Sequence, residues 1–206
     1  MGANGTSPKG DPIVIGVVKD LEDPQKLGRV RVALPHLGEK QSAWARLATL
    51  MAGPDRGSLF RPEPEDEVLV AFLHGDPSQP YVIGALWNEK DKPPENGGTK
   101  ENHLRTLRSR SGHVFRFDDT AGGAKIEIIG SEEQHRIVID VAGKVIKVEA
   151  DTGDVKVTTK AGNVEVDAGA SVNVKAKASI KLEATADITI QASGNVTIKG
   201  AQVMIN

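Results

Sequence analysis

The 206-residue chain has no cysteine, which excludes disulfide staples, thiolate metal sites and a cysteine nucleophile and leaves the redox compartment open. Neither sign of charge dominates, since 26 basic side chains face 28 acidic ones and the formal net charge is −2. That balance lacks the basic excess of a bulk nucleic-acid binder, and no nucleic-acid partner is expected. Apolar runs fall far short of the roughly 20 residues that span a bilayer as a helix. The opening Met1-Gly2-Ala3-Asn4-Gly5-Thr6-Ser7-Pro8 has no apolar stretch of the signal-peptide kind, so synthesis in the cytoplasm without a signal peptide is expected. Aromatic residues make up only 3%, and Trp44, Phe60, Phe72, Tyr81, Trp87, Phe115 and Phe117 are the whole set. Nothing aromatic follows Phe117, and all 11 prolines lie at or before Pro94. The chain therefore has a front that carries Pro and aromatics and a back made of Val, Ile, Ala, Gly, Lys, Thr, Asp and Asn.

The back is a strand repeat. From Gly162 to Gly200 every even-numbered residue is Gly, Ala, Val, Ile or Leu, and every odd-numbered one except Gly169 is polar. Period two means side chains alternating across a pleated backbone, with one apolar face and one solvated face. Unbroken, the stretch would run about 130 Å, whereas strands usually span about 3–10 residues, so the chain must turn corners. Branched pairs at Val164/Val166, Val172/Val174, Ile180/Leu182, Ile188/Ile190 and Val196/Ile198, with Ala or Gly at the even positions between them, set a unit of eight residues. Upstream, Ile137/Ile139, Ile146/Val148 and Val155/Val157 recur at nine, and Val203/Ile205 closes the series one residue early. Links such as Ala176-Lys177-Ala178 and Ala184-Thr185-Ala186 lack the Asn-Gly, Asp-Gly or lone Gly of tight reversals. A gentle bend onward, and hence a β-helix, is predicted. The even repeat keeps one parity inward at every turn.

A strip this thin cannot close over its own apolar face or pair its own edges, while ordering each residue costs ~1–2 kcal/mol. Several chains winding about a shared axis supply both, and three make the natural prism. The alternative is a single-chain β-helix with about 24 residues per coil. The absence of rings from the repeat favours the narrower, intertwined form. Val155, Val157, Val164, Val166, Val172, Val174, Ile180, Leu182, Ile188, Ile190, Val196 and Ile198 are predicted to line the trimer axis, with the apex at Val203, Met204, Ile205 and Asn206.

The front reads as five strands, at 13–18, 28–33, 44–48, 67–73 and 81–86, separated by Pro, Gly and Asp. Five short strands in so few residues suit a closed barrel of the OB type, with its aromatics filling the core. Few cations, Lys26, Arg29, Arg31 and Arg46, are available for a nucleic-acid groove. The predicted architecture is all-β, an N-terminal OB-fold barrel followed by a C-terminal triple-stranded, intertwined homotrimeric β-helix. It divides into an N-terminal arm (1–12), the OB-fold (13–88), a linker (89–110) through Asp91-Lys92-Pro93-Pro94, a junction (111–136) and the β-helix needle (137–206).

Gly28-Arg29-Val30-Arg31-Val32, Trp44-Ala45-Arg46, Glu67-Val68-Leu69-Val70-Ala71-Phe72, His74-Gly75-Asp76-Pro77-Ser78-Gln79-Pro80-Tyr81-Val82-Ile83-Gly84 and Ser111-Gly112-His113-Val114-Phe115-Arg116-Phe117-Asp118-Asp119-Thr120 occur in this order. In that order they resemble the baseplate spike proteins of contractile phage tails, including assembly protein V, and the VgrG proteins of type VI secretion. The resemblance implies a homotrimer with its OB domains on a tube hub and its β-helix pointing outward to pierce a membrane. It implies a place in the baseplate of a phage virion or phage-tail-like particle, with transient contact to the target membrane. No large hub domain precedes the OB region and no lysozyme-like domain interrupts the chain, so a separate hub protein is expected and wall-degrading activity is not. Without His after His135, the chain lacks the His-rich apex of some relatives, and a separate PAAR-type tip protein is expected to dock at Val203 to Asn206.

Other motifs have plainer readings. Asp118-Asp119 with His113 is a carboxylate pair that suits a loop as well as acid–base chemistry. Asp151-Thr152-Gly153-Asp154 lacks the acidic ladder and closing Glu of a calcium loop. His36, His74, His103, His113 and His135 show no ligand spacing, although a threefold axis would bring any one of them to its symmetry mates. Glu63-Pro64-Glu65-Asp66-Glu67 reads as a solvated turn, and Asn4-Gly5-Thr6 and Asn195-Val196-Thr197 match the glycosylation sequon. The protein is read as a structural, non-enzymatic, cofactor-free spike. The rivals are a β-helical polysaccharide-degrading enzyme, which would need aromatic or carboxylate-lined sugar grooves, and a passive trimeric fibre stalk, which would end in a recognition domain.

Overall fold

A computed structural model describes residues 13–95 and 100–205. The expected arm (1–12), the Asn4 sequon and the apical Asn206 lie outside the described residues. The chain separates into two units, Met1–Val155 and Lys156–Asn206.

The first unit opens with a barrel of strands β1 (Ile13–Asp20), β2 (Arg31–Leu34), β3 (Lys40–Gln41), β4 (Arg46–Leu47), β7 (Glu67–Phe72) and β8 (Pro80–Ala85), in the sheet order β3-β2-β1-β7-β8-β4. A small hairpin of β5 (Ala52–Gly53) and β6 (Arg56–Gly57) projects between β4 and β7. Strand β4 runs parallel to β8, and just before it Ala45 exchanges backbone hydrogen bonds of 2.7 and 3.0 Å with Val30 at the start of β2. That bridge closes the sheet on itself and removes the open edge. The alternation read in the sequence places Val14, Val18, Val30, Val32, Leu34, Ala45, Val68, Val70, Phe72 and Val82 inside. Gly16 on β1 lies where a Cβ would meet the Ala33 carbonyl and Val70 Cγ2, both at 3.2 Å, so a side chain here would press on its neighbours.

One expectation about this core needs correction. Of the five front aromatics only Phe72 is buried; Trp44 and Tyr81 are half-buried, and Phe60 and Trp87 are exposed. The barrel is narrow, and branched aliphatic side chains fill it without rings.

The rest of the first unit is an antiparallel meander of β9 (Leu104–Arg108), β10 (Val114–Asp118), β11 (Lys125–Ile129), β12 (His135–Asp140) and β13 (Val145–Ala150), in the order β13-β12-β11-β10-β9. Strand β9 falls inside the stretch expected as linker, β12 straddles the expected junction and needle, and β13 falls inside the expected needle. Turn chemistry is the reason. Between β12 and β13 the Asp140 carboxylate accepts the Gly143 amide at 2.6 Å and Lys144 adopts φ 53°, and between β11 and β12 Glu133 adopts φ 59°. These links reverse the chain, whereas the eight-residue corners further on do not.

The second unit consists of extended segments with bends at 160–162, 169–170, 177–178, 185–186, 193–194 and 201, an eight-residue rhythm from 169 onward. Among its described residues no strand pairs with another, and every one is exposed. One chain therefore does not wind into a sealed coil by itself.

Candidate assembly surfaces

The residues expected on a trimer axis are all placed on exposed backbone. Val155, Val157, Val164, Val166, Val172, Val174, Ile180, Leu182, Ile188, Ile190, Val196 and Ile198 each expose between 52% and 75% of their surface. Val203, Met204 and Ile205, expected at the apex, are likewise open. The single chain shelters none of them, which is costly for branched aliphatic side chains in water.

The meander carries a second surface of the same kind. Its registers align Leu107, Phe115, Ile128, Ile137 and Val148 in one row and Arg105, Phe117, Ile126, Ile139 and Ile146 in the next. Both rows lie on one face, because they fall at alternate positions. Apart from Arg105 and, at the start of β12, His135, these positions are apolar, and they are largely exposed; Phe115 and Phe117 pack edge to face at 5.0 Å among them. Sequence reading found the Ile137/Ile139 and Ile146/Val148 pairs but not their neighbours on β9 to β11, since only the register joins them.

The opposite face is ionic. Arg116 donates to Glu95 Oε1 through Nη2 at 2.7 Å and through Nε at 3.1 Å, and its Nη1 reaches Glu127 Oε2 at 3.4 Å. Lys125 Nζ meets the other Glu127 oxygen at 3.0 Å. Burial opposes the Arg116 charge, but the hydrogen bond and charge of Glu95, then those of Glu127, outweigh it and raise its pKa. The two faces of the sheet thus differ in kind: one is satisfied within the chain, and the other is largely bare and apolar.

On the barrel, the loop from β1 to β2 is held by Asp23. Its carboxylate accepts the backbone amides of Gln25, Leu27 and Arg29 and a bidentate pair from the Arg29 guanidinium at 2.7 and 3.0 Å. The Arg29 hydrogen bond is the main reason its pKa lies far below the ordinary carboxylate range, against the opposing effect of burial. Nearby, Arg31 stacks over Trp44 with its guanidinium carbon 4.8 Å from the ring centroid, and Arg46 over Tyr81 at 5.6 Å. Arg29, Trp44, Arg46, Arg56 and Tyr81 border a cleft of about 1000 Å³. Leu50, Met51, Leu59 and Phe60, around the β5–β6 hairpin, are exposed beside it. Sequence reading missed this patch because exposed apolar loop residues have no period.

The chemistry-bearing motifs resolve into turn structure. Asp118 accepts from the Thr120 hydroxyl and amide, which lower its pKa, and Asp119 pairs with Arg105 at 3.2 Å. His113 Nδ1 accepts the Ser131 amide at 3.1 Å. At the calcium-like segment, Thr152 binds Gln134 and Asp151 lies 3.7 Å from Arg136. Among the described residues no three His, Asp or Glu side chains converge as metal ligands, and no helix is long and apolar enough to cross a membrane.

Residues 14–87, the barrel, match the type VI secretion system/phage-baseplate injector OB domain. That match makes the barrel an injector OB domain, and the chain is similar to VgrG spike proteins. Among its relatives is the type VI secretion system spike protein VgrG3 of Vibrio cholerae, 32% identical over 108 residues, which cover 48% of this chain and 11% of the relative. VgrG1a of Pseudomonas aeruginosa is 25% identical over 138 residues, or 61% of this chain and 22% of the relative. The actin cross-linking toxin VgrG1 of Vibrio cholerae is 31% identical over 110 residues, 48% of this chain and 10% of that protein. The chain thus spans between about a tenth and about a fifth of the length of these spike-family relatives.

Proposed function

We propose that the protein is the central spike of a contractile injection machine, a phage tail, tailocin or secretion-type relative, and acts as a homotrimer. The observation that carries this reading is the exposed apolar surface of the chain itself. A family-typical OB barrel is followed by a sheet with one bare apolar face and then by a repeat whose branched pairs stand open at every eight-residue bend. Association of three copies would cover the bare meander face, and likewise the axial pairs of the repeat. Each buried Val, Leu or Ile then contributes ~1.5–3 kcal/mol, and strand edges pair between chains as a triple-stranded β-helix.

In this reading the barrel end meets a separate hub protein, and the exposed Leu50, Met51, Leu59 and Phe60 suit such a contact. The exposed apolar side chains of Val203, Met204 and Ile205 suit docking of a PAAR-type tip. The work is mechanical. Sheath contraction drives the rod into the target envelope, and hydrogen bonds running along its axis, with three interlocked chains, resist buckling and unwinding. No catalytic step is assigned.

Light scattering of the purified chain at micromolar concentration tests the proposal. A mass three times the 21.9 kDa of one chain is expected. A stable monomer would remove the spike reading.

A further inference from the structure

The outward face of the repeat is ordered as well. At the eight-residue period, the position after each branched pair reads Asp167, Lys175, Glu183, Gln191 and Lys199. Each stands two residues ahead of a bend, at 169, 177, 185, 193 and 201, so these five occupy one equivalent ridge of the repeat. All are exposed, and the first three alternate in sign. Glu183 also reaches Lys181 within its own segment, Oε2 to Nζ at 2.6 Å, so its carboxylate is turned to the same outward face.

Which of these residues become neighbours depends on the winding. A chain that bends onward occupies the next face of a three-sided prism with each unit. Where three chains are related by a threefold axis, the strand overlying a given strand is the following unit of a neighbouring chain, so residue i lies beside residue i + 8 of that neighbour. Where a single chain coils alone, residue i lies beside its own residue i + 24. The first arrangement sets Lys175 between Asp167 of one neighbour and Glu183 of the other. The second stacks Lys175 on Lys199, a like-charge pair.

The apolar axis does not distinguish the two windings, because each unit offers it the same branched pair. Register is weakly specified wherever successive units are equivalent, and a charge pattern that penalises the wrong pairing is the remedy. We propose that Asp167, Lys175 and Glu183 form an interchain charge ladder that fixes the pairing of chains at an offset of eight residues. This rests on the three-chain reading above and adds its register.

The native chain has no cysteine, so a pair can be introduced cleanly in the full chain. Adjacent strands lie ~4.8 Å apart, within the ~4.4–6.8 Å Cα separation that a disulfide bridges. Under oxidation, the Asp167→Cys/Lys175→Cys variant should link each chain to the next and run as a covalent trimer on a non-reducing gel. The Lys175→Cys/Lys199→Cys variant should run as unlinked monomer. As a second measurement, Glu183→Lys should lower the temperature of trimer dissociation by several degrees, with the deficit shrinking in molar salt. The inverted column Asp167→Lys/Lys175→Glu/Glu183→Lys should restore it. A native chain that is monomeric by light scattering overturns the three-chain reading and the ladder together. A trimer that fails to cross-link at 167 and 175, or that shows equal dissociation temperatures for all charge variants, overturns the ladder alone.

Discussion

Arg29 donates to both carboxylate oxygens of Asp23, Nη2 to Oδ1 at 2.7 Å and Nε to Oδ2 at 3.0 Å, on a loop whose amides of Gln25 and Leu27 converge on the same group. The pair holds the chain between β1 and β2 in one shape where no regular structure does. Arg61 adds a hydrogen bond from Nη2 to the Leu21 carbonyl at 2.7 Å, which ties the loop to the approach to β7.

This arrangement makes an acid-side stability prediction. The Asp23 pKa in the folded protein lies below its ordinary 3.8, so the folded state holds the carboxylate charged at a pH where the unfolded chain would protonate it. The contribution is present above about pH 4 and is lost progressively as the pH falls below that. Asp23→Asn should lower Tm at pH 7 by roughly 5 °C. Thermal unfolding followed from pH 6 to pH 2 should show a shallower fall for the variant than for the native chain. Parallel curves would remove Asp23 from the acid response.

The needle faces are separable by charge. Ile188→Asp places an aspartate on each chain at the axis, where an unpaired buried charge is costly, and should abolish the trimer in light scattering. Thr189→Asp, one residue on and outward, should leave the mass unchanged. Equal tolerance of both would mean that the faces are inverted.

The meander provides a like test nearer the barrel. Ile139→Glu puts a carboxylate on the bare apolar face and should weaken the trimer at least tenfold in concentration-dependent light scattering. Val138→Thr, on the ionic face beside Glu127 in the register, should assemble normally. A trimer unaffected by Ile139→Glu would exclude this face from the interface.

Gly16 predicts a local effect inside the barrel. Gly16→Val pushes a branched side chain against the Ala33 carbonyl and Val70 Cγ2, 3.2 Å from the position of its Cβ. Overpacking of this sort costs ~1–3 kcal/mol, so urea unfolding of the barrel should shift to lower concentration. An unchanged midpoint would show that the crossing can open.

Much of the architecture was legible before any coordinates. The five barrel strands expected around Val14, Val30, Ala45, Val68 and Val82 fall where the alternation places them, because an inward apolar residue at every second position marks a strand with one buried face. The bends after residue 169 keep the eight-residue interval set by the small residues between branched pairs. Less was legible at the edges. The β5–β6 hairpin and the Asp23 pair left no periodic trace, and β9 was hidden in a stretch where Arg and Leu alternate without a clean face.

By itself the sequence determined which face of each strand is apolar, where the corners fall and that nothing ring-shaped enters the repeat, since period two and side-chain size are local properties. Only the tertiary structure decided which strands turn back and which go on. Ile137/Ile139 and Ile146/Val148 look like the later pairs, yet Gly143 and the left-handed Lys144 reverse the chain between them into an antiparallel sheet. The direction of a neighbouring strand and the row of side chains lying across it are set by turn geometry and non-local register, and alternation along one strand carries no record of either.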